Sequence, residues 1–198
     1  MAKKKAYEAN CVKLILLKEG TYDLKEVLII ACPISIHGAG QNKSIIQGKG
    51  ILIKGLKREK KRVNMQGMTI KGSSGFGLYA NNGLSFLCKD MTFTQCGGDG
   101  VHLENTKGRL INCVITQCGH SGIHCGSNAL IEMEGSQIKV DGNGTSGYDD
   151  FSSIIHLLFP LTKESVSTNN HGAGNYGGVG TIQTVESFNT STTSTASK

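Results

Sequence analysis

Short runs of alternating apolar and polar residues, punctuated by glycine, fill most of the chain, and they recur at a nearly constant step. VNMQGMTIKG (63–72), FLCKDMTFTQC (86–96), RLINCVITQC (109–118) and LIEMEGSQIKV (130–140) superpose with Met68, Met91, Cys113 and Ser136 at one position, the steps being 23, 22 and 23 residues. A second set keeps the same step: GILIKG (50–55), GLYANN (77–82), GVHLEN (100–105) and GIHCGS (122–127). Alternation at period two is the mark of a β-strand, because successive side chains leave opposite faces. Ile51, Leu78, Val101 and Ile123 therefore form one inward stack, and Ile70, Phe93, Ile115 and Ile138 another. One such rung cannot bury its own apolar face, so its neighbours in the repeat must do so.

The pattern extends in both directions. Upstream, VLIIACPISIHGAG (27–40) aligns with the first set and places Ile36 above Ile70, the longer step falling on the charged stretch Lys57 to Arg62. VKLILLKEGTYDL (12–24) supplies the first rung. Downstream, DGNGTSGYDD (141–150) reads as a loop, after which SSIIHLLF (152–159) extends the second set with Ile154 beneath Ile123. The pairs Gln95/Gln117 and Cys96/Cys118 fall at equivalent positions before a turn, which predicts side-chain ladders. The expected fold is all-β: a parallel β-solenoid of about six to seven rungs with a 22–23 residue core repeat and a short N-terminal cap. It forms a single domain over 1–187, with residues 1–11 as the cap and 188–198 as a disordered polar tail.

Composition agrees with strands and tight turns: 27 glycines stand against 2 prolines and no tryptophan. The formal charge of +6 is concentrated at Lys3 to Lys5 and between Lys57 and Arg62, and reads as a solvated terminus and a charged loop. Seven cysteines, an odd number without a CxxC pair, argue against a zinc ribbon or a closed disulfide framework and predict buried, reduced thiols. The N-terminus lacks the apolar stretch of a secretory signal, and no run approaches the roughly 20 apolar residues of a membrane span, so a cytoplasmic protein without membrane contact is expected.

Three features together resemble the right-handed β-helix, pectate-lyase-like superfamily: LILLKEGTYDL followed by ISIHGAGQNKSIIQG, rungs of the type LINCVITQCGHSGIHC, and the 22–23 residue step. The resemblance covers about residues 12–187 and implies a right-handed parallel β-helix. The superfamily includes polysaccharide lyases, glycoside hydrolases, uronan epimerases, phage tail-spike domains and non-catalytic carbohydrate-binding or interaction domains, so the fold does not assign an activity. A lyase of this kind would hold calcium on acidic residues of neighbouring rungs, and Asp90, Asp99 and Glu104 fall short of that cluster. GGDG (97–100) and CGHSG (118–122) fall short of the polygalacturonase pattern, and YDD (148–150) is too short a match to the Tyr/Asp/His site of mannuronan epimerases. No catalytic role is carried over, and no cofactor is expected beyond calcium if the chain were a lyase.

The register of the second set singles out one outward line. The residue after each inward aliphatic is Leu52, Tyr79, His102, His124 and Ile155, spaced about 4.8 Å per rung. Lys54, Asn81 and Glu104 lie two residues further along, Asp99 and Ser121 precede the glycines, and His156 is expected at the flank. The leading expectation is a flat, ladder-like face that recognises an extended ligand, most plausibly a polysaccharide. A lyase or epimerase acting on uronates, with His102 or His124 as base and Tyr79 as acid, is the catalytic alternative. An intracellular protein-interaction domain is the third. The opposite outward columns, Thr69, Thr92, Val114, Gln137 and Lys71, Thr94, Thr116, Lys139, read as a solvated sheet. No aromatic platform for nucleic acid and no phosphate-cradling loop is present, and two histidines on successive rungs do not by themselves make a metal site.

Overall fold

Period-two runs separated by glycine and asparagine corners leave each strand short and unable to bury its own apolar side, and the chain resolves this by coiling. The computed structural model describes residues 13–55 and 62–186. Successive turns stack in parallel into two sheets, of 13 and 7 strands, making a right-handed-type β-solenoid of about 7 turns. The seven-stranded sheet runs Leu28–Ile30, Ile51–Ile53, Leu78–Asn81, Val101–Glu104, Ile123–Gly126, Ser146–Phe151 and Gly174–Gly178. The larger sheet carries two lines of strands, which join in the nine-residue strands Val63–Lys71 and Phe86–Thr94. Helix is confined, among the described residues, to the four-residue turn Lys163–Val166, capped by Thr162. No described helix is long and apolar enough to cross a membrane.

The interior is built from columns. Ile51, Leu78, Val101, Ile123, Tyr148 and Tyr176 are successive register partners, the first five buried. A second column runs Ile46, Ile70, Phe93, Ile115 and Val140. Corners are closed by residues in the left-handed region, Asn82 with Asn105 and Gln95 with Gln117, whose side chains hydrogen-bond rung to rung at 2.6 and 3.4 Å. Asparagine tolerates this conformation better than bulky residues do.

The register departs from the sequence expectation in three places. Ile36 pairs with Met65, and Ile46 is the residue above Ile70, because residues 38–43 form an inserted loop between the two strands that share Val63–Lys71. The Ser44 hydroxyl ties that loop down, accepting from the Ala39 amide and donating to the Lys18 carbonyl. Next, Val140 pairs with Ile115 in place of Ile138, since the turn after Glu134 holds two extra residues. Gly135 starts that turn at φ +97°, where a Cβ would sit 2.1 Å from Asn112 Oδ1. Ile138 remains buried, while Lys139 and Asp141 take the outward positions expected of Gln137 and Lys139.

The third departure concerns the site. Residues Ser146–Phe151 form a strand of the seven-stranded sheet, with Tyr148 beneath Ile123, and are not a loop. Ile154–Leu158 instead joins the larger sheet, Ile154 pairing with Leu130 and Ile155 with Ile131. Ile155 is thus an inward residue outside the outward line, and His156 sits in the other sheet beside Glu132 and bonds Gln183. Cys88, Cys96, Cys113, Cys118 and Cys125 are buried and outside any disulfide, as thiols of a β-core would be, but Cys32 is disulfide-bonded, against the expectation of reduced cysteines throughout. The expected cap (1–11), the tail (188–198) and most of the charged stretch after Gly55 lie outside the described residues.

Two outcomes check this packing. In the column Val63, Phe86, Gly108 and Ile131, a Cβ at Gly108 would lie 2.5 Å from Phe86 Cζ and 2.8 Å from Leu103 Cδ2. Gly108→Ala should cost about 1–3 kcal/mol in urea unfolding, and much less when combined with Phe86→Leu; strictly additive effects would contradict the packing. Asp141 Oδ1 accepts from Thr168 Oγ1 at 2.6 Å and from Asn169, and its other oxygen pairs with Lys139 Nζ at 3.2 Å. The Thr168 bond, opposed by burial and aided by Asn169 and Lys139, holds the Asp141 carboxyl below the usual range. A lowered folded-state pKa contributes stability above the unfolded value and loses it as pH falls through the folded one. Asp141→Asn should therefore flatten the fall in stability below about pH 4, the ordinary aspartate value, and an unchanged acid profile would contradict this.

Candidate functional site

Parallel pairing places residues of equal repeat position side by side, and in the seven-stranded sheet the outward column reads Leu52, Tyr79, His102 and His124, the backbone register continuing to Asp149 and Gly177. The imidazoles of His102 and His124 stack with centroids 4.3 Å apart at 16°. Tyr79 meets His102 edge-on, 4.9 Å away at 86°. The turn leading into Leu78–Asn81 folds Phe76 back over both, its ring 5.3 Å from Tyr79 and 4.8 Å from His102. The face is consequently not the open ladder expected: His102 retains only 9% of its exposure, while Tyr79 and His124 are half-buried. Alternation does not mark Phe76, because its turn lacks the period of a strand. Its register is the clue, since Phe76, Asp99, Ser121 and Ser146 occupy one repeat position, each two residues before an inward residue of the column Leu78, Val101, Ile123 and Tyr148.

Within its own rung, His102 is clamped by two carboxylates. Its Nδ1 lies 2.8 Å from Asp99 Oδ2 and its Nε2 3.3 Å from Glu104 Oε1. The other oxygen of Asp99 accepts the Ser121 amide at 2.8 Å, while the Ser121 hydroxyl meets Ser146 Oγ at 3.0 Å. The other oxygen of Glu104 accepts the Tyr79 hydroxyl at 2.7 Å, and Tyr79 in turn accepts from Asn81 Nδ2 at 2.7 Å. A continuous relay thus runs from Ser121 through Asp99, His102, Glu104 and Tyr79 to Asn81. An imidazolium is the form of histidine that donates at both nitrogens.

The electrostatics follow from these contacts. Burial opposes charge on His102, but the hydrogen bonds and charges of Asp99 and Glu104 outweigh it and hold its pKa above the ordinary imidazole value. The Tyr79 hydroxyl is the largest influence holding Glu104 below the usual carboxylate range, against burial and with help from His102. Burial, then Glu104, pushes Tyr79 up to about 12. With His102 charged, Asp99, Glu104 and His102 sum to a net −1.

Of the eight residues singled out in the sequence, Tyr79, His102, His124, Asn81, Asp99, Glu104 and Ser121 come together, Ser121 through its amide. Lys54 stands exposed just beyond Ile51–Ile53 and takes no part in the relay. Among the described residues, one cluster of three His, Cys, Asp or Glu side chains has ligand atoms within 4.8 Å of one another: Asp99, His102 and His124. Two of its three donors are imidazole nitrogens, which does not suit calcium, a cation that takes oxygen ligands.

Comparison with known proteins bears on the fold. Residues 37–196 match the family model described as "Right handed beta helix region". No curated protein matches by sequence. ORF18 of Geobacillus virus E2 is similar in structure with a TM-score of 0.43 and 10% identity over 90% of this chain, which spans 55% of that chain. The A-module of a mannuronan C-5 epimerase from Azotobacter vinelandii is similar with a TM-score of 0.38 and 12% identity, covering 92% of this chain and 88% of that one. No residue role is carried over from either.

The relay makes a direct prediction. Glu104→Gln removes the charge beside Tyr79 but leaves its burial, so the tyrosine should titrate part-way back from about 12 toward the ordinary value near 10. Ring-labelled tyrosine NMR, with Tyr79→Phe for assignment, reads this out, and an unmoved titration would show that Glu104 does not act on Tyr79.

Proposed function

We propose that this chain, which belongs to the right-handed beta helix family, binds an extended polysaccharide across the column of Tyr79 and His124. The observation that carries the reading is the contiguous group of Phe76, Tyr79, His102 and His124 rings with hydrogen-bonding groups at its edge. Rings offer apolar faces to the C–H side of a sugar, while Asn81 and Glu104 offer polar partners to its hydroxyls. A solenoid repeats such groups at about 4.8 Å along its axis, which suits a ligand that is itself extended. Two carboxylates against one imidazole leave the Asp99, His102 and Glu104 group net negative, which favours a neutral glycan over a polyanion.

His102 serves in this reading as a positioning residue, because both its nitrogens are engaged by carboxylates and neither is available to accept a proton from a substrate. The catalytic alternative, a lyase or epimerase acting on uronates, draws on Tyr79 as a hydroxyl that keeps its proton up to about 12. Its base would then be His124.

Titration calorimetry against a glycan identified on an array should show Tyr79→Ala weakening binding about 10-fold or more, roughly 1.4 kcal/mol. Unchanged affinity in both Tyr79→Ala and His124→Ala would overturn the site. Unsaturated ends or inverted C5 centres after incubation with polyuronates would replace binding with catalysis. Absence of any glycan binding would leave the protein-interaction reading.

A further inference from the structure

We propose that Asp99, His102 and His124 form a three-ligand site for a divalent transition-metal ion of the zinc class. The three donor groups are already gathered on two neighbouring rungs. Zinc is bound by His nitrogen and carboxylate oxygen at about 2.0–2.2 Å, which sets adjacent donors about 3.0–3.5 Å apart. Asp99 Oδ2 and His102 Nδ1 stand 2.8 Å apart across a hydrogen bond whose proton the metal would displace to solvent, and the His124 donor lies within 4.8 Å of both. His124 stacks on His102 at 16°, so its ring, half-buried where His102 is nearly covered, must turn out of that stack to point a nitrogen at the same ion.

The partners that orient metal ligands are also in place. A ligating histidine ordinarily gives its second nitrogen to a carboxylate, which fixes the ring and its tautomer. Here Nε2 of His102 faces Glu104 at 3.3 Å, leaving Nδ1 directed at Asp99. Asp99 is steadied in the same way by the Ser121 amide on its other oxygen. Two imidazoles and one carboxylate suit zinc, copper, nickel or iron and not calcium or magnesium. Three protein donors leave a coordination position for an outside oxygen, from water or a ligand hydroxyl, on the side where His124 is accessible. The inference stands apart from the polysaccharide reading, because metal uptake is measured with no glycan present.

The test is calorimetric titration of the purified, chelator-treated full chain with zinc chloride, with cobalt(II) absorption as a second readout. One equivalent should bind with micromolar or tighter affinity and with cobalt bands of nitrogen/oxygen ligation, while calcium and magnesium give no heat. His124→Ala, on the accessible side of the site, should weaken zinc at least about 10-fold with an unchanged circular dichroism spectrum, and Asp99→Asn should do the same if it folds. His120→Ala, at an exposed turn, should leave binding intact. Lack of saturable zinc binding, or binding indifferent to His124→Ala, would overturn the site.

Discussion

The structure depends on one constraint, that the backbone hydrogen bonds of each turn must be made with the turns above and below. A single three-residue strand such as Ile51–Ile53 has nowhere else to place its amides and carbonyls, and an unpaired buried backbone group is costly. Parallel stacking satisfies them and fixes the spacing between equivalent side chains at about 4.8 Å. Everything of chemical interest follows from which residues that spacing makes neighbours. Where they are aliphatic they become core, as in Ile51, Leu78, Val101 and Ile123; where they are amides they become ladders, as in Gln95 over Gln117.

The candidate site shows the same rule acting along and across strands. Along its own rung, His102 has Asp99 three residues before it, brought onto the ring by the bend at Gly100, and Glu104 two residues after, on the same face of the strand Val101–Glu104. Across rungs, Tyr79 and His124 sandwich that ring between an edge-on and a stacked neighbour. Burying an imidazole is costly for its charged form, and two carboxylates more than offset the cost. The result is a hydrogen-bonded polar cluster under a half-exposed pair of rings, which is what a binding face needs if its groups are to be held in place before a ligand arrives.

Much of this was legible in the sequence, and the exceptions have physical causes. The repeat and the column of Tyr79, His102 and His124 follow from glycine spacing and period-two alternation, signals that each rung states independently. The strand Ser146–Phe151 looks like a loop in the sequence because its inward residue is Tyr148, a polar-tipped side chain among Gly, Ser and Asp, where aliphatics mark the earlier rungs. The displacement of Ile138 by Val140 came from two residues added in a turn, and an ungapped alignment hides an insertion that leaves both side chains buried. The covering of His102 was hidden for another reason. Alternation says which side of a strand a residue leaves, but not that Phe76, from a neighbouring turn, folds over it.

Register is therefore the claim on which site and function both rest, and the step beyond His124 tests it best because sequence and structure disagree there. Backbone nuclear Overhauser contacts across parallel strands report which residues are paired. The account predicts contacts joining Ile123–Gly126 to Tyr148–Phe151, with His124 opposite Asp149. Contacts joining His124 to Ile155 would move the whole lower half of the column and contradict it.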